Sequence, residues 1–247
     1  MTQPHLPDPL RRQLLRAAGL SAALAAFPLA MRIARAAGPG VKIGIIGSGH
    51  VGSALGRVWA AAGHPVMFSS ENLDHDRQLA AGMGANARAG TPAEAAAFGA
   101  VLLFAVPYRA LPDLGRSLSG SLKGEVVIDA CNPFPSRDGA IAERALSQGA
   151  GRVSAALLPG ARIVRAFNAV GAARMGQAHE DPGRIGMPIA GDDRKALEIA
   201  SRLIREIGYV PVLVGGLDMG RYLMPGTPLA GEHTPEEIRS ITATLKP

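Results

Sequence analysis

The chain has 247 residues, 47% of them hydrophobic and only 4% aromatic, with 31 glycines and 19 prolines; that is enough to bury one large core or two small ones, and no internal repeat is visible. The formal charge is +6, but Arg11, Arg12, Arg16, Arg32 and Arg35 face a single acid, Asp8, in residues 1–36, so +4 of it belongs to that segment and the rest carries no nucleic-acid signature. The lone cysteine, Cys131, excludes an internal disulfide and reads as a small buried apolar residue.

Residues 1–36 read as an export signal. The Arg11–Arg12 pair precedes an uncharged, mildly apolar stretch at 17–31, and Ala34-Arg35-Ala36 offers small residues before a cleavage point at Ala37. The stretch is too short and too broken for a comfortable membrane span. Paired arginines before a weak apolar segment resemble a twin-arginine signal, which carries folded cargo. That predicts a periplasmic protein whose mature part runs over 37–247 and ends in a C-terminal extension.

From Val41 onward, apolar strand-length runs alternate with helical patterns. Strands are expected at 41–46, 65–70, 86–90, 100–106, 125–130, 161–170, 185–191 and 209–216. Helices are expected at 50–62, from about 71 to 81, after Thr91-Pro92, over 107–120, near 138–148, over 192–208 and after Thr234-Pro235. In the 192–208 helix Ala196, Ile199, Ala200, Leu203, Ile204 and Ile207 share one face. Runs such as 100–106 show no alternation, as strands buried on both faces do. The pattern predicts an α/β fold of the Rossmann type, a doubly wound parallel sheet.

The first strand runs into Gly47-Ser48-Gly49-His50-Val51-Gly52, a G-x-G-x-x-G sequence placed between strand and helix. That context is what a dinucleotide site needs. Gly47 makes the turn, Gly49 lets backbone approach a pyrophosphate, and Gly52 lets the helix pack on the strand, while the helix N-terminus presents free N–H groups. Cofactor choice falls at the end of the second strand. Ser70 stands where an NAD enzyme carries an acid, Ser69 and Ser70 can hydrogen-bond a phosphate, Glu71 follows, and Arg77 or His75 is the candidate for the phosphate's countercharge. If the strand stays regular, Ser70 faces the ribose and NADP is accepted; if the chain has already left the strand, Glu71 can take the 2′-hydroxyl of NAD. NADP is expected, with NAD as the other choice.

The blocks "IGIIGSGHVGSALG", "GHPVMFSS", "FAVPYRAL", "VIDACNPF", "RIVRAFNAVGAARM", "PIAGDD" and "VLVGGL", taken in this order, resemble the NADP oxidoreductase family that includes coenzyme F420-dependent NADP reductase, and the reductase domain of the STEAP metalloreductases. The resemblance spans about residues 41–225. It implies hydride transfer between NADP(H) and coenzyme F420 or a flavin as second ring. It also implies that residues 47–52 hold the pyrophosphate, that Ser69 and Ser70 face the adenosine ribose phosphate, and that Ala105, Val106 and Pro107 flank the nicotinamide. Asn132 and Asn168 fall at carboxyl ends of later strands, on the ligand side. Glu71 stands where the family has Arg, and Cys131 where it has Thr.

Hydride transfer between stacked rings requires positioning more than acid–base chemistry, and no catalytic residue is singled out. Tyr108 is the one candidate proton donor for an imine or small-carbonyl reductase on the same fold. A third reading is an exported nucleotide-binding or sensor protein without turnover. Asp192 and Asp193 read as helix caps, Arg165 and Arg221 as solvated arginines, and no metal site is expected. The expected partners are a small-molecule redox partner, the twin-arginine export machinery and a second copy of the chain in a homodimer.

Overall fold

The computed structural model describes residues 40–246; the expected signal and its cleavage site lie outside the described residues. Eight strands form one sheet: β1 (Ile43–Ile46), β2 (Val66–Ser69), β3 (Ala87–Ala89), β4 (Val101–Phe104), β5 (Val126–Asp129), β6 (Arg162–Arg165), β7 (Gly186–Gly191) and β8 (Val210–Gly215), in the spatial order 3-2-1-4-5-6-7-8. Each expected strand is present. The chain runs outward from β1 to β3, then returns to place β4 on the other side of β1. This reversal opens a crevice at the carboxyl ends of β1 and β4, where doubly wound folds bind ligand.

The sheet is not wholly parallel. β6 and β7 pair antiparallel, Val164 opposite Gly191 and Arg165 opposite Ala190. Their connection carries only two short 3₁₀ turns, Ala172–Arg174 and Ala178–Glu180, not the crossover helix that parallel neighbours need. β6 also stops at Arg165, short of the expected 170, because Phe167 takes the left-handed conformation at φ 67°.

Helices cover both faces. α1 (His50–Ala61), α2 (Leu73–Ala81) and α9 (Arg194–Glu206) pack on one side. The other face carries α3 (Pro92–Phe98), α4 (Leu111–Ser117), α5 (Ser119–Leu122), the single turn α6 (Pro135–Asp138), α7 (Ala140–Gln148) and α8 (Ala150–Leu157). α10 (Pro235–Thr242) closes the β7–β8 end, started by the capping box of Thr234 and Glu237. α8 was not expected, since Gly149 and Gly151 interrupt its pattern; Gly151 is there because a Cβ would stand 2.4 Å from the Leu217 carbonyl oxygen. On α9, Ala196, Ala200, Leu203, Ile204 and Ile207 are buried as expected, whereas Ile199 is 36% exposed at the rim of that face.

Two polar side chains tie α1 and the turn after it to their surroundings. Trp59, fully buried, donates its indole N–H to the Leu203 carbonyl at 3.0 Å. His64 accepts from the Val41 N–H at 3.0 Å through Nδ1, and its Nε2 lies 2.9 Å from Glu206. His64 therefore joins the first strand to α9 and is remote from ligand chemistry.

Candidate functional site

A hollow of about 770 Å³ lies over the crevice. At its floor Gly47 turns the chain at φ 102°, with a Cβ forbidden by the Ala105 carbonyl oxygen 2.4 Å away. Gly52 packs so tightly that a Cβ would stand 1.9 Å from the Gly47 oxygen. Gly49 differs: a Cβ there would meet nothing within 4 Å, and the residue lines the hollow. Protein packing does not require that glycine, and the space beside it is open to the hollow. Gly49 is also the N-cap of α1, with no side-chain capping bond and no acid in the first turn. The helix thus presents open N–H groups and the positive end of its dipole to the hollow, the features that receive a phosphate.

Gly47, Ser48, Gly49, Ser69, Ser70, Ala105, Val106 and Pro107 all line this hollow. The two strand-end serines are engaged differently from expectation. Ser69 is fully buried and its hydroxyl donates back to the Ile45 carbonyl at 2.8 Å, so it holds β2 to β1. β2 ends there, Ser70 is already off the strand, and Glu71 is exposed and lines the hollow. β2 thus ends before Glu71, the backbone condition attached to the second branch of the cofactor fork. Asp76 on α2, which the sequence reading passed over, is fully buried and accepts from both the Ser48 and Ser70 hydroxyls.

A second hollow, of about 450 Å³, lies on the other side of the α1 N-terminus and is lined by Val51, Asn132 and Asn168. His50 and Gly52 line neither hollow: His50 is exposed at the helix start and Gly52 is internal packing. Asn132 donates to the Asn168 carbonyl at 2.8 Å, and Asn168 donates to the Cys131 carbonyl at 3.4 Å. Both side-chain amide oxygens are buried with no partner among the described residues. Buried polar atoms are normally satisfied, so two orphaned acceptors at one hollow mark a place for a donor. No ionisable side chain lines this hollow among the described residues.

Long-range packing sets the two asparagines. Phe167 stacks edge-on between Trp59 and Tyr209, at centroid distances of 6.0 and 5.9 Å, and this holds its left-handed backbone, which turns Asn168 toward the hollow. Beneath, Arg165 and Asp129 form an ion pair at 2.6 Å with both side chains fully buried. Asp129 also accepts from the Cys131 N–H at 2.9 Å, shaping the loop that carries Asn132. Arg165 is thus a buried structural cation, not a solvated one, because β6 carries it under the 3₁₀ turn Leu217–Tyr222 against Gly220. Burial, with Asp129 adding to it, pushes the Cys131 thiol well above its ordinary range, in keeping with an inert apolar role.

Tyr108 lines neither hollow. It is fully buried; its hydroxyl donates to the Ala150 carbonyl at 3.0 Å and lies 3.0 Å from the Ser154 hydroxyl, and burial raises its pKa strongly. Asp193 caps α9 by accepting from the Ala196 N–H at 2.9 Å. Asp192 instead accepts from the Leu217 N–H at 2.9 Å, fixing the turn after β8.

The far wall of the second hollow is the loop bearing Pro225, Gly226, Ala230 and Gly231. The Gly231 N–H donates to the Ala169 carbonyl at 2.9 Å, and Glu232 pairs with Arg174 at 2.6 Å. Nothing local in the sequence signals this wall, since its contacts span some sixty residues.

Residues 42–133 match the family described as NADP oxidoreductase, coenzyme F420-dependent. The F420-dependent NADP reductase of Methanothermobacter marburgensis is 30% identical over 203 residues, which cover 76% of this chain and 90% of the relative. The chain belongs to this family. The metalloreductase STEAP3 of Rattus norvegicus is 27% identical over 180 residues, covering 73% of this chain and 35% of that protein. A hypothetical protein of Sinorhizobium meliloti shares the fold at a TM-score of 0.66 and 28% identity, with 77% of this chain and 93% of that one covered. The stretch matching the NADP oxidoreductase family contains the glycine turn, Glu71, Asp76 and Asn132; Asn168 and the closing loop lie beyond it.

Proposed function

We propose that the chain is an oxidoreductase that binds NADP(H) along the glycine turn and exchanges a hydride with a deazaflavin- or flavin-type ring. The observation that carries this reading is a pair of hollows beside the start of α1, one bordered by Gly49 at the open helix N-terminus and the other by Val51, Asn132 and Asn168, whose amide oxygens are buried without partners. The bound dinucleotide supplies the hydride. The α1 N–H groups hold its phosphates, and Ala105, Val106 and Pro107 support the middle of the groove. The Asn132 and Asn168 oxygens accept from N–H donors, which a nicotinamide carboxamide and a flavin-type ring both carry. Ring-to-ring transfer asks for a near-attack geometry rather than a proton donor. The imine or carbonyl reductase alternative needs such a donor, and Tyr108 is buried away from both hollows.

Loss of NADPH absorbance in the presence of coenzyme F420, FMN or a ferric chelate tests this reading. Turnover with F420 or FMN is expected. Tight NADPH binding with no turnover on any acceptor would favour a sensor protein, and faster turnover on a cyclic imine would favour the reductase alternative.

The same proposal includes export by the twin-arginine route to the periplasm, supported by Arg11, Arg12, the uncharged stretch and the Ala34-Arg35-Ala36 site. N-terminal sequencing of the periplasmic form should begin near Ala37. Arg11→Lys with Arg12→Lys should hold the protein in the cytoplasm; recovery of periplasmic protein from that variant would dismiss the route.

A further inference from the structure

At the ribose end of the groove Asp76, Ser70 and Glu71 are arranged for hydrogen-bond acceptance, and Asn72 and His75 are the potential donors lining the same stretch. Asp76 is fully buried, with one carboxylate oxygen accepting from the Ser48 hydroxyl and the other from the Ser70 hydroxyl at 2.9 Å. A serine hydroxyl has one proton. With that proton directed at Asp76, Ser70 has none for a phosphate oxygen. Its oxygen also accepts from the Asn72 N–H at 3.0 Å, and what remains toward the groove is a lone pair. Ser69 is likewise occupied, donating to Ile45. Next to these stands Glu71, exposed and lining the groove. Arg77, the nearest arginine in sequence, is paired with Asp74 at 2.9 Å and does not line the groove. Arg109 lines the groove on its far wall with Asp113 and Leu114, one guanidinium nitrogen donating to the Arg137 carbonyl at 3.0 Å and lying 3.8 Å from Asp138.

We infer that this end of the groove is built for a free ribose 2′-hydroxyl, so that a 2′-phosphate adds no affinity and the chain takes NAD(H) at least as tightly as NADP(H). Glu71 is the direct determinant, accepting from the 2′-hydroxyl and repelling a phosphate. Asp76 is a positioning residue that turns Ser48 and Ser70 so that their protons point away from the ligand. The inference rests on the dinucleotide reading above and departs from the cofactor named for the relatives.

Calorimetry with NADH and NADPH, and with ADP-ribose and its 2′-phospho derivative, provides the test. Wild type should bind NADH as tightly as NADPH or more tightly. Glu71→Arg should tighten NADPH about tenfold or more and change NADH little, as a charge-assisted phosphate contact would. Asp76→Asn should shift the NADPH-to-NADH ratio toward NADPH several-fold; a purely structural Asp76 would weaken both ligands alike and leave the ratio unchanged. Should Asp76→Asn fail to fold, Ser70→Ala still decides: no selective loss of NADPH is expected. A wild-type preference for NADPH of about tenfold, or a selective loss of NADPH in Ser70→Ala, would overturn the inference while leaving the dinucleotide site intact. Absence of binding by all four ligands would overturn the dinucleotide reading, and this inference with it.

Discussion

The two hollows are built by opposite means. The glycine turn is built mostly from residues 45–52, Gly52 packing on the Gly47 carbonyl and Gly49 facing open space, with the Ala105 carbonyl against Gly47 as an outside contact. The asparagine hollow depends on Asn132 and Asn168, 36 residues apart in sequence and positioned by a buried ion pair, an aromatic stack and a distant loop. A site made from a local motif keeps its shape if its strand and helix form. A site made from tertiary packing fails when any remote support is removed.

The largest expected effects come from the glycine turn and separate packing from ligand space. Gly52→Val should prevent the α1–β1 contact and abolish cooperative folding, since its Cβ would lie 1.9 Å from a carbonyl oxygen. Gly49→Val should leave the thermal midpoint within about 2 °C of wild type while abolishing dinucleotide binding. If both variants lose stability equally, Gly49 is structural and the phosphate-site interpretation fails.

The remote supports of the second hollow come next. Arg165→Met leaves the Asp129 carboxylate buried without its partner and should cost about 3–5 kcal/mol in urea denaturation. Asp129→Leu with Arg165→Met should recover much of that loss. Equal losses in the single and double variants would show that packing, not the charge pair, holds the loop.

Tyr209 gives the aromatic support a pH signature. Burial, with Glu232 adding to it, raises its pKa from 10.0 to about 12. The neutral phenol is favoured in the folded state, so the contribution is complete below the unfolded value of 10.0 and is lost as pH rises through about 12. Stability should fall by about 2–3 kcal/mol across that window, and Tyr209→Phe should flatten this part of the profile. An unchanged alkaline profile in Tyr209→Phe would remove Tyr209 from the account.

The smallest effect concerns function without stability. Asn168→Ala removes an orphaned buried oxygen, so the thermal midpoint should hold or rise slightly. Hydride transfer should fall about tenfold, the cost of one transition-state hydrogen bond, and ADP-ribose affinity should not change. A parallel loss of ADP-ribose affinity would mean that the two hollows are not separable.

The eight strands, the main helices and the glycine turn are legible in the chain before it folds, because strand burial, capping residues and a G-x-G-x-x-G spacing act over a few residues. Asn132 and Asn168 are legible there too, as strand-end residues on the ligand side. The rest depends on contacts between distant segments. The reversal of β7 follows from a connection without a crossover helix, and the burial of Tyr108 and Arg165 from helices packed above them. The roles of Ser69, Ser70 and Glu71 turned on where β2 ends and on Asp76, a carboxylate on the next helix. A hydroxyl's single proton goes to whichever acceptor the fold brings nearest, and local sequence does not say which acceptor that will be.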